Sequence, residues 1–191
     1  MFTLLALVQK QVSLNRKLYV AFIDFEKAFD SVNRKLLWPI LLKNGINGKL
    51  YRCIKSIYNS VKVRVRCGSK MTNYINCTFG VKQGDVCSPV LFSLLINEMA
   101  LGAIQNGRHG ASFITDYSEL FILLLADDVV LLSETVIGLQ TQLSSLQRAS
   151  SSLQLNVNMS NIVVFRKGGY LGARERWTYD SVVLPVVNVY K

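Results

Sequence analysis

The chain has 191 residues, half of them hydrophobic, which is enough for one well-buried core with a small appendage and excludes a disordered composition. Its 22 lysines and arginines against 12 acids give a formal net charge of +10, pointing to a polyanionic partner beside the plainer reading of a basic surface. No apolar run approaches the ~20 residues of a membrane span, and residues 1–8 lack the basic flank and small-residue cleavage site of a signal peptide. Cys53, Cys67, Cys77 and Cys87, with His109 distant, form no zinc pattern, and a core of this size needs no disulfide. The expected setting is intracellular, in nucleus and/or cytoplasm, with no membrane partner.

Apolar spacing predicts a helix over 2–14, and LYVAFIDF (18–25) predicts a mostly buried strand. NRKLLWPILLK (33–43) has a helical pattern whose middle Pro39 is expected to disturb; Asn44-Gly45 ends it, and 47–59 suggests another helix. A hairpin follows, 61–67 with 72–79, turning at Gly68-Ser69-Lys70. Within it Lys62, Arg64 and Arg66 alternate with Val61, Val63 and Val65, so a period of two puts the cations on one face. That face suits a phosphate backbone, and a solvated strand face explains it equally well.

Ser88-Pro89 reads as a helix start, with serine at N-cap and proline at N1; Leu91, Leu94, Leu95 and Met99 then keep helical spacing. Gly107 to Gly110 is read as a loop. Strands over 119–126 and 129–133 flank Asp127-Asp128. An amphipathic helix covers about 135–152 through Val136, Leu139, Leu143 and Leu146, and short strands are expected over 153–158 and 161–166. Gly168-Gly169 opens a less regular tail. This order implies an α+β fold: one mostly antiparallel sheet with helices on one face.

Two adjacent carboxylates between buried strands are costly. At an effective dielectric near 20, unit charges about 4 Å apart repel by roughly 4 kcal/mol. A divalent cation or a raised pKa takes up that charge. A turn aspartate is the plainer reading, and it accounts better for one residue than for two. Asp24 ends another apolar strand; alone it reads as a strand-end or cap residue, as does Asp30 before Ser31. If strand 18–24 lies beside the 119–132 hairpin, three hard-oxygen ligands meet, a set that suits Mg²⁺. Because consecutive strand residues point to opposite faces, Asp127 and Asp24 are expected to hold metal more directly than Asp128. Gln83-Gly84, in FGVKQGDVCSP (79–89), offers an amide and a bare backbone; an ordinary loop glycine is the plain alternative.

Together these segments resemble the reverse transcriptase domain of non-LTR (LINE-type) retrotransposons. VAFIDFEKAFDSVNRKLLW (20–38), GVKQGDVCSPVLFSLLINEM (80–99) and LLADDVVLLSE (124–134) look like its first three palm motifs. LQLNVNMSNIVVFRKGG (153–169) resembles the fourth imperfectly. Each motif is weak singly; four in order are specific over roughly 2–169. The resemblance implies a polymerase palm with partial fingers over 1–169, and over 170–191 the start of a truncated C-terminal region.

It also implies RNA-directed DNA polymerase activity on an RNA template, a DNA primer and a dNTP, with two Mg²⁺ (or Mn²⁺) ions. Asp24, Asp127 and Asp128 fall on the catalytic metal-binding positions, assisted by the backbone carbonyl of Phe25. Phe29 falls where a bulky ring beneath the sugar excludes a 2′-hydroxyl; a core aromatic is its plain alternative. Gln83 and Gly84 match the loop against the incoming nucleotide, and Lys82 beside them is expected to meet phosphate.

Departures are also visible. The family's fourth motif commonly carries a lysine that protonates the pyrophosphate leaving group. This chain has none at Met159-Ser160-Asn161, a segment about two residues short, and Lys167 lies beyond the following strand. General acid help of this kind contributes roughly 10²–10⁴-fold. The fingers' triphosphate-binding cations are not matched by Arg16 and Lys17, and fingers, thumb and endonuclease regions of a parent protein are expected to be missing or incomplete here. A non-catalytic nucleic-acid-binding remnant of a decayed element is the alternative function. An RNA-copying RNA polymerase is a second alternative, against which Phe29 argues.

Overall fold

The apolar pattern at the N-terminus forms helix α1 (Phe2–Ser13), followed by strand β1 (Leu18–Ile23). The computed structural model describes residues 2–104, 111–112, 119–158, 161–165, 172 and 174–187. They fall into two compact units, Met1–Glu26 with Met99–Lys191, and Lys27–Glu98. The expected loop at Gly107–Gly110 and the tail opening at Gly168-Gly169 lie outside the described residues.

In the Lys27–Glu98 unit, α2 (Ala28–Ser31), α3 (Arg34–Lys43) and α4 (Gly48–Asn59) precede four two-residue strands. Asn33 caps α3, its side chain accepting the Lys35 N–H at 2.9 Å. Pro39 does not break α3. Interior proline costs about 3 kcal/mol, whereas Leu37, Ile40 and Leu41 are buried and each contributes roughly 1.5–3 kcal/mol. The hairpin splits into two ladders. β2 (Lys62–Val63) pairs with β5 (Ile75–Asn76), and β3 (Arg66–Cys67) with β4 (Lys70–Met71). Its valines are not turned into a core: Val63 and Val65 are exposed. Helix α5 (Ser88–Ile104) begins at Ser88, whose hydroxyl donates to Lys82 O at 2.6 Å.

In the other unit, β6 (Ala111–Ser112) pairs with β7 (Glu119–Leu120). β8 (Ile122–Leu125), β9 (Asp128–Ser133), helix α6 (Val136–Ser152) and β10 (Asn161–Phe165) follow. The strand expected over 119–126 is thus two pieces parted at Phe121. Thr135 caps α6, accepting the Gly138 N–H at 3.0 Å. The strand expected over 153–158 does not form. The chain turns at Gln154 (φ +57), and Val157 alone bridges to Phe25.

A hairpin of β11 (Thr178–Tyr179) and β12 (Val182–Val183) leads to β13 (Val186–Val187). The main sheet runs β13-β10-β1-β9-β8, antiparallel except for β10 with β13. β1 is central, and Leu18 to Ala21 and Ile23 are all buried, so both its faces need cover. Leu18 and Val20 pack with Leu132 against Leu7 of α1. The alternate face carries Tyr19, whose ring lies 5.4 Å from that of Trp177; Trp177 Nε1 donates to Val136 O of α6. Helices therefore cover both faces, where the sequence pattern suggested one.

The described residues beyond 170 belong to this same packing. Trp177 and Leu184 are buried, and Glu175 is bonded to Lys17, Tyr19 and Gly172.

Candidate active site

Asp24 follows the last ladder pair of β1 with β9, Ile23↔Val129, so it stands one step beyond, level with Asp128. Leu125 pairs with Asp128 across a two-residue turn, Ala126-Asp127. Ala126 takes φ +55, a left-handed conformation that costs an L-residue roughly 1–2 kcal/mol. The positive first turn angle matches the strand twist of a tight hairpin, and it brings Asp127 and Asp128 to the sheet end where β1 finishes. Asp24 and Asp127 are half-buried; Asp128 is exposed.

Electrostatics record the proximity of the three carboxylates. Desolvation first, then the charges of Asp127 and Asp24, hold the Asp128 carboxyl above its ordinary value. A neighbouring segment braces Asp24. The Asn158 backbone N–H donates to Asp24 O at 2.8 Å, and its side-chain amide donates to Asp24 Oδ2 at 3.3 Å. Glu26 N–H donates to Asn156 O at 2.9 Å. Since backbone groups alternate sides along a strand, the Phe25 carbonyl is directed away from 156–158, toward the edge that β9 occupies. Asn158 was not singled out from sequence: it stands between Asn156 and Asn161, and nothing in the pattern sets it apart from them.

Among the described residues no group of three or more His, Cys, Asp or Glu side chains is gathered closely enough to hold a metal ion by itself. The donor chemistry nonetheless fits a hard divalent cation: the carboxylate oxygens of Asp24, Asp127 and Asp128 lie at one end of the sheet, beside a backbone carbonyl. Mg²⁺ commonly takes one or two carboxylates and completes its shell with water and substrate phosphates.

The other expected contacts lie in the Lys27–Glu98 unit. Phe29 is half-buried and stacks on Phe92, centroids 4.9 Å apart at 22°. Gln83 and Gly84 are exposed; Gln83 Nε2 donates to Asp30 Oδ2 at 3.2 Å, and Gly84 takes φ +83 with open space around it. Lys82 Nζ lies 5.7 Å over the Tyr58 ring, and the Arg64 guanidinium 5.0 Å over Tyr74. Lys62, Arg64 and Arg66 are all exposed. Charge is concentrated here: twelve of the 22 basic and three of the 12 acidic residues, a net +9, with no acid between Asp30 and Asp85.

A mostly antiparallel sheet with a strand-end aspartate beside an aspartate-bearing hairpin defines a polymerase palm. Residues 3–174 match the family model described as reverse transcriptase (RNA-dependent DNA polymerase), and the chain belongs to that family, whose members generally use divalent metal ions. The curated relatives are Pol polyproteins of R2 retrotransposable elements, so this is a non-LTR type of reverse transcriptase domain. The Nasonia vitripennis protein is 32% identical over 143 residues, 74% of this chain and 14% of that one. A Popillia japonica protein is 30% identical over 180 residues, 91% of this chain and 25% of its own length. The chain thus spans a quarter or less of these relatives. Among solved structures, apo telomerase from Candida tropicalis matches 94% of this chain and 36% of its own at 14% identity and TM-score 0.60, a likeness of fold. In this chain no described helix is long and apolar enough to cross a membrane.

Proposed function

We propose that this chain is the catalytic palm of an RNA-directed DNA polymerase, acting inside the cell, in nucleus or cytoplasm. It adds deoxynucleotides to a primer 3′-hydroxyl under an RNA template. The observation that supports this reading is the register that sets Asp24 level with Asp128, beside the turn that carries Asp127, at one end of the sheet. Asp24, Asp127, Asp128 and the Phe25 carbonyl would hold two Mg²⁺ or Mn²⁺ ions, which when bound supply Lewis-acid stabilisation of the attacking and leaving oxygens.

The chain's own residues supply the rest. Asn158 orients the Asp24 carboxylate. Phe29, backed by Phe92, excludes a 2′-hydroxyl, and Gln83 and Gly84 border the incoming nucleotide. Lys62, Arg64, Arg66 and Lys82 lie along phosphates of template and primer, and the +9 balance of their unit supports a polyanion there. No lysine stands at 159–161. The leaving group is therefore protonated without that aid, and turnover in this chain alone is weak, falling to none only if the non-catalytic alternative holds.

Metal-dependent primer extension on an RNA template tests the reading. Extension that disappears in Asp127→Asn supports it. Template–primer binding with no extension, unchanged by Asp127→Asn, establishes instead the non-catalytic binding remnant that the same basic unit favours.

A further inference from the structure

Arg34 is 6% exposed and has no carboxylate partner among the described residues. Its guanidinium is spent on backbone carbonyls. Nε donates to Gly80 O at 2.7 Å, Nη1 to Cys77 O at 2.8 Å and Tyr58 O at 3.1 Å, and Nη2 to Phe79 O at 2.8 Å. It also lies 5.1 Å over the Tyr58 ring. The helix it begins gives no reason for it, since a cation at a helix N-terminus opposes the macrodipole. Burying an arginine against four neutral acceptors is tolerated where its planar fork organises those acceptors.

What it organises is the approach to Gln83-Gly84. With the carbonyls of Cys77, Phe79 and Gly80 drawn to one point, the chain crosses the 29–32 segment at contact distance. Gly80 N–H donates to Val32 O and Val81 N–H to Phe29 O, both at 2.8 Å. Gly80 takes φ +78, and a Cβ there would meet Asp30 O at 2.8 Å. The aromatic Phe29 and the loop at 82–84 are thereby joined through residues that Arg34 holds.

We propose that Arg34 is a positioning residue for the nucleotide site: it fixes the spacing between Phe29 and the Gln83-Gly84 loop, and so controls deoxynucleotide affinity and sugar discrimination rather than the chemical step. This rests on the reverse transcriptase reading above. Lysine keeps the charge but offers a point donor in place of the fork, so Arg34→Lys removes the organisation without removing the cation.

The test uses Arg34→Lys and Arg34→Ala in the full chain. Amide exchange at Gly80 and Val81 should quicken at least tenfold in Arg34→Lys, while amides of Leu41 and Ile54 keep their protection. In primer extension the dNTP KM should rise about tenfold with kcat changed less than threefold, and ribonucleotide incorporation should increase. Millimolar guanidinium should restore the loop protection and the KM of Arg34→Ala, a rescue that a general packing defect would not show. Unchanged exchange at Gly80 and Val81 overturns the inference, as does a uniform loss of protection across Lys27–Glu98 or a fall in kcat at constant KM. Wild-type chain that neither extends a primer nor binds a dNTP removes the nucleotide reading itself. The exchange comparison, which needs no activity, still reports whether Arg34 holds the loop.

Discussion

Asn158 grips Asp24 twice, through its backbone N–H to the Asp24 carbonyl at 2.8 Å and through its side-chain amide to Oδ2 at 3.3 Å. The backbone bond sets the strand end; the amide sets the carboxylate rotamer. Partners behind a ligand typically carry 10–100-fold in metal affinity, and an exposed, long hydrogen bond belongs at the low end. Asn158→Ala should therefore weaken Mn²⁺ binding by about tenfold, read by titration of the metal alone, with the fold unchanged by circular dichroism. An unaltered affinity would show that the amide bond carries nothing.

Asp128 has the opposite relation to its neighbours. Its folded-state pKa is raised by desolvation and by the charges of Asp127 and Asp24, so the folded chain binds this proton more tightly than the unfolded chain. Its ionisation removes stability as pH rises from the unfolded value through the folded one. Asp128→Asn should raise the Tm in EDTA at neutral pH and shrink the Tm gain on adding Mg²⁺. A lower Tm in EDTA would count against carboxylate repulsion at this sheet end.

Gly80 and Gly84 separate two kinds of glycine requirement. Both have positive φ, but a Cβ at Gly80 meets backbone atoms of Asp30 and Phe29 at 2.8 to 3.1 Å, whereas nothing lies within 4 Å of one at Gly84. Backbone atoms cannot rotate aside. Gly84→Ala should cost about 1–2 kcal/mol from the left-handed conformation alone, and Gly80→Ala clearly more, by urea unfolding of each. Equal losses would mean that the crossing at residue 80 yields easily.

The sequence shows its local periodicities and hides its long-range bonds. β1 was legible as an apolar run that ends at an aspartate and β9 as one that begins at an aspartate, and α6 because leucines recur on one face. Register between β1 and β9 was not legible, yet it decides whether Asp24 meets Asp128. The strand expected over 153–158 is reduced to one bridge: its apolar residues Leu155 and Val157 follow a left-handed turn at Gln154. Arg34 gave no signal because its partners are carbonyls, which every residue carries. Glu175 and Trp177 looked like an irregular tail, since their partners Lys17, Tyr19 and Val136 lie far away in sequence.

Phe29 rests on Phe92 with ring centroids 4.9 Å apart, which limits how far the ring can retreat from a ligand. Phe29→Val should relax discrimination against ribonucleotides in a full-length, active context, measured as the ratio of kcat/KM for dNTP and NTP. Unchanged selectivity would reduce Phe29 to a core aromatic.

Glu175 links acid stability to the docking of the last strands. Burial alone would raise its carboxyl, but hydrogen bonds from Lys17 Nζ, the Gly172 N–H and the Tyr19 hydroxyl, with the Lys17 charge, hold it below its ordinary value. The stability this provides is present above the unfolded carboxylate value, about 4.3 for glutamate, and is lost as pH falls through the lower folded value. Glu175→Gln keeps the shape and removes the charge, so it should cost about 1–3 kcal/mol at neutral pH and flatten the acid limb of the stability curve. Trp177, two residues on and fully buried, reports the site: its fluorescence should shift red at lower denaturant in the variant, and the two proteins should converge once the pH has fallen below the lowered folded value of Glu175. Parallel curves for wild type and variant across that range would place the acid sensitivity elsewhere, with the Asp24–Asp128 end of the sheet excluded by repeating the comparison in Asp128→Asn.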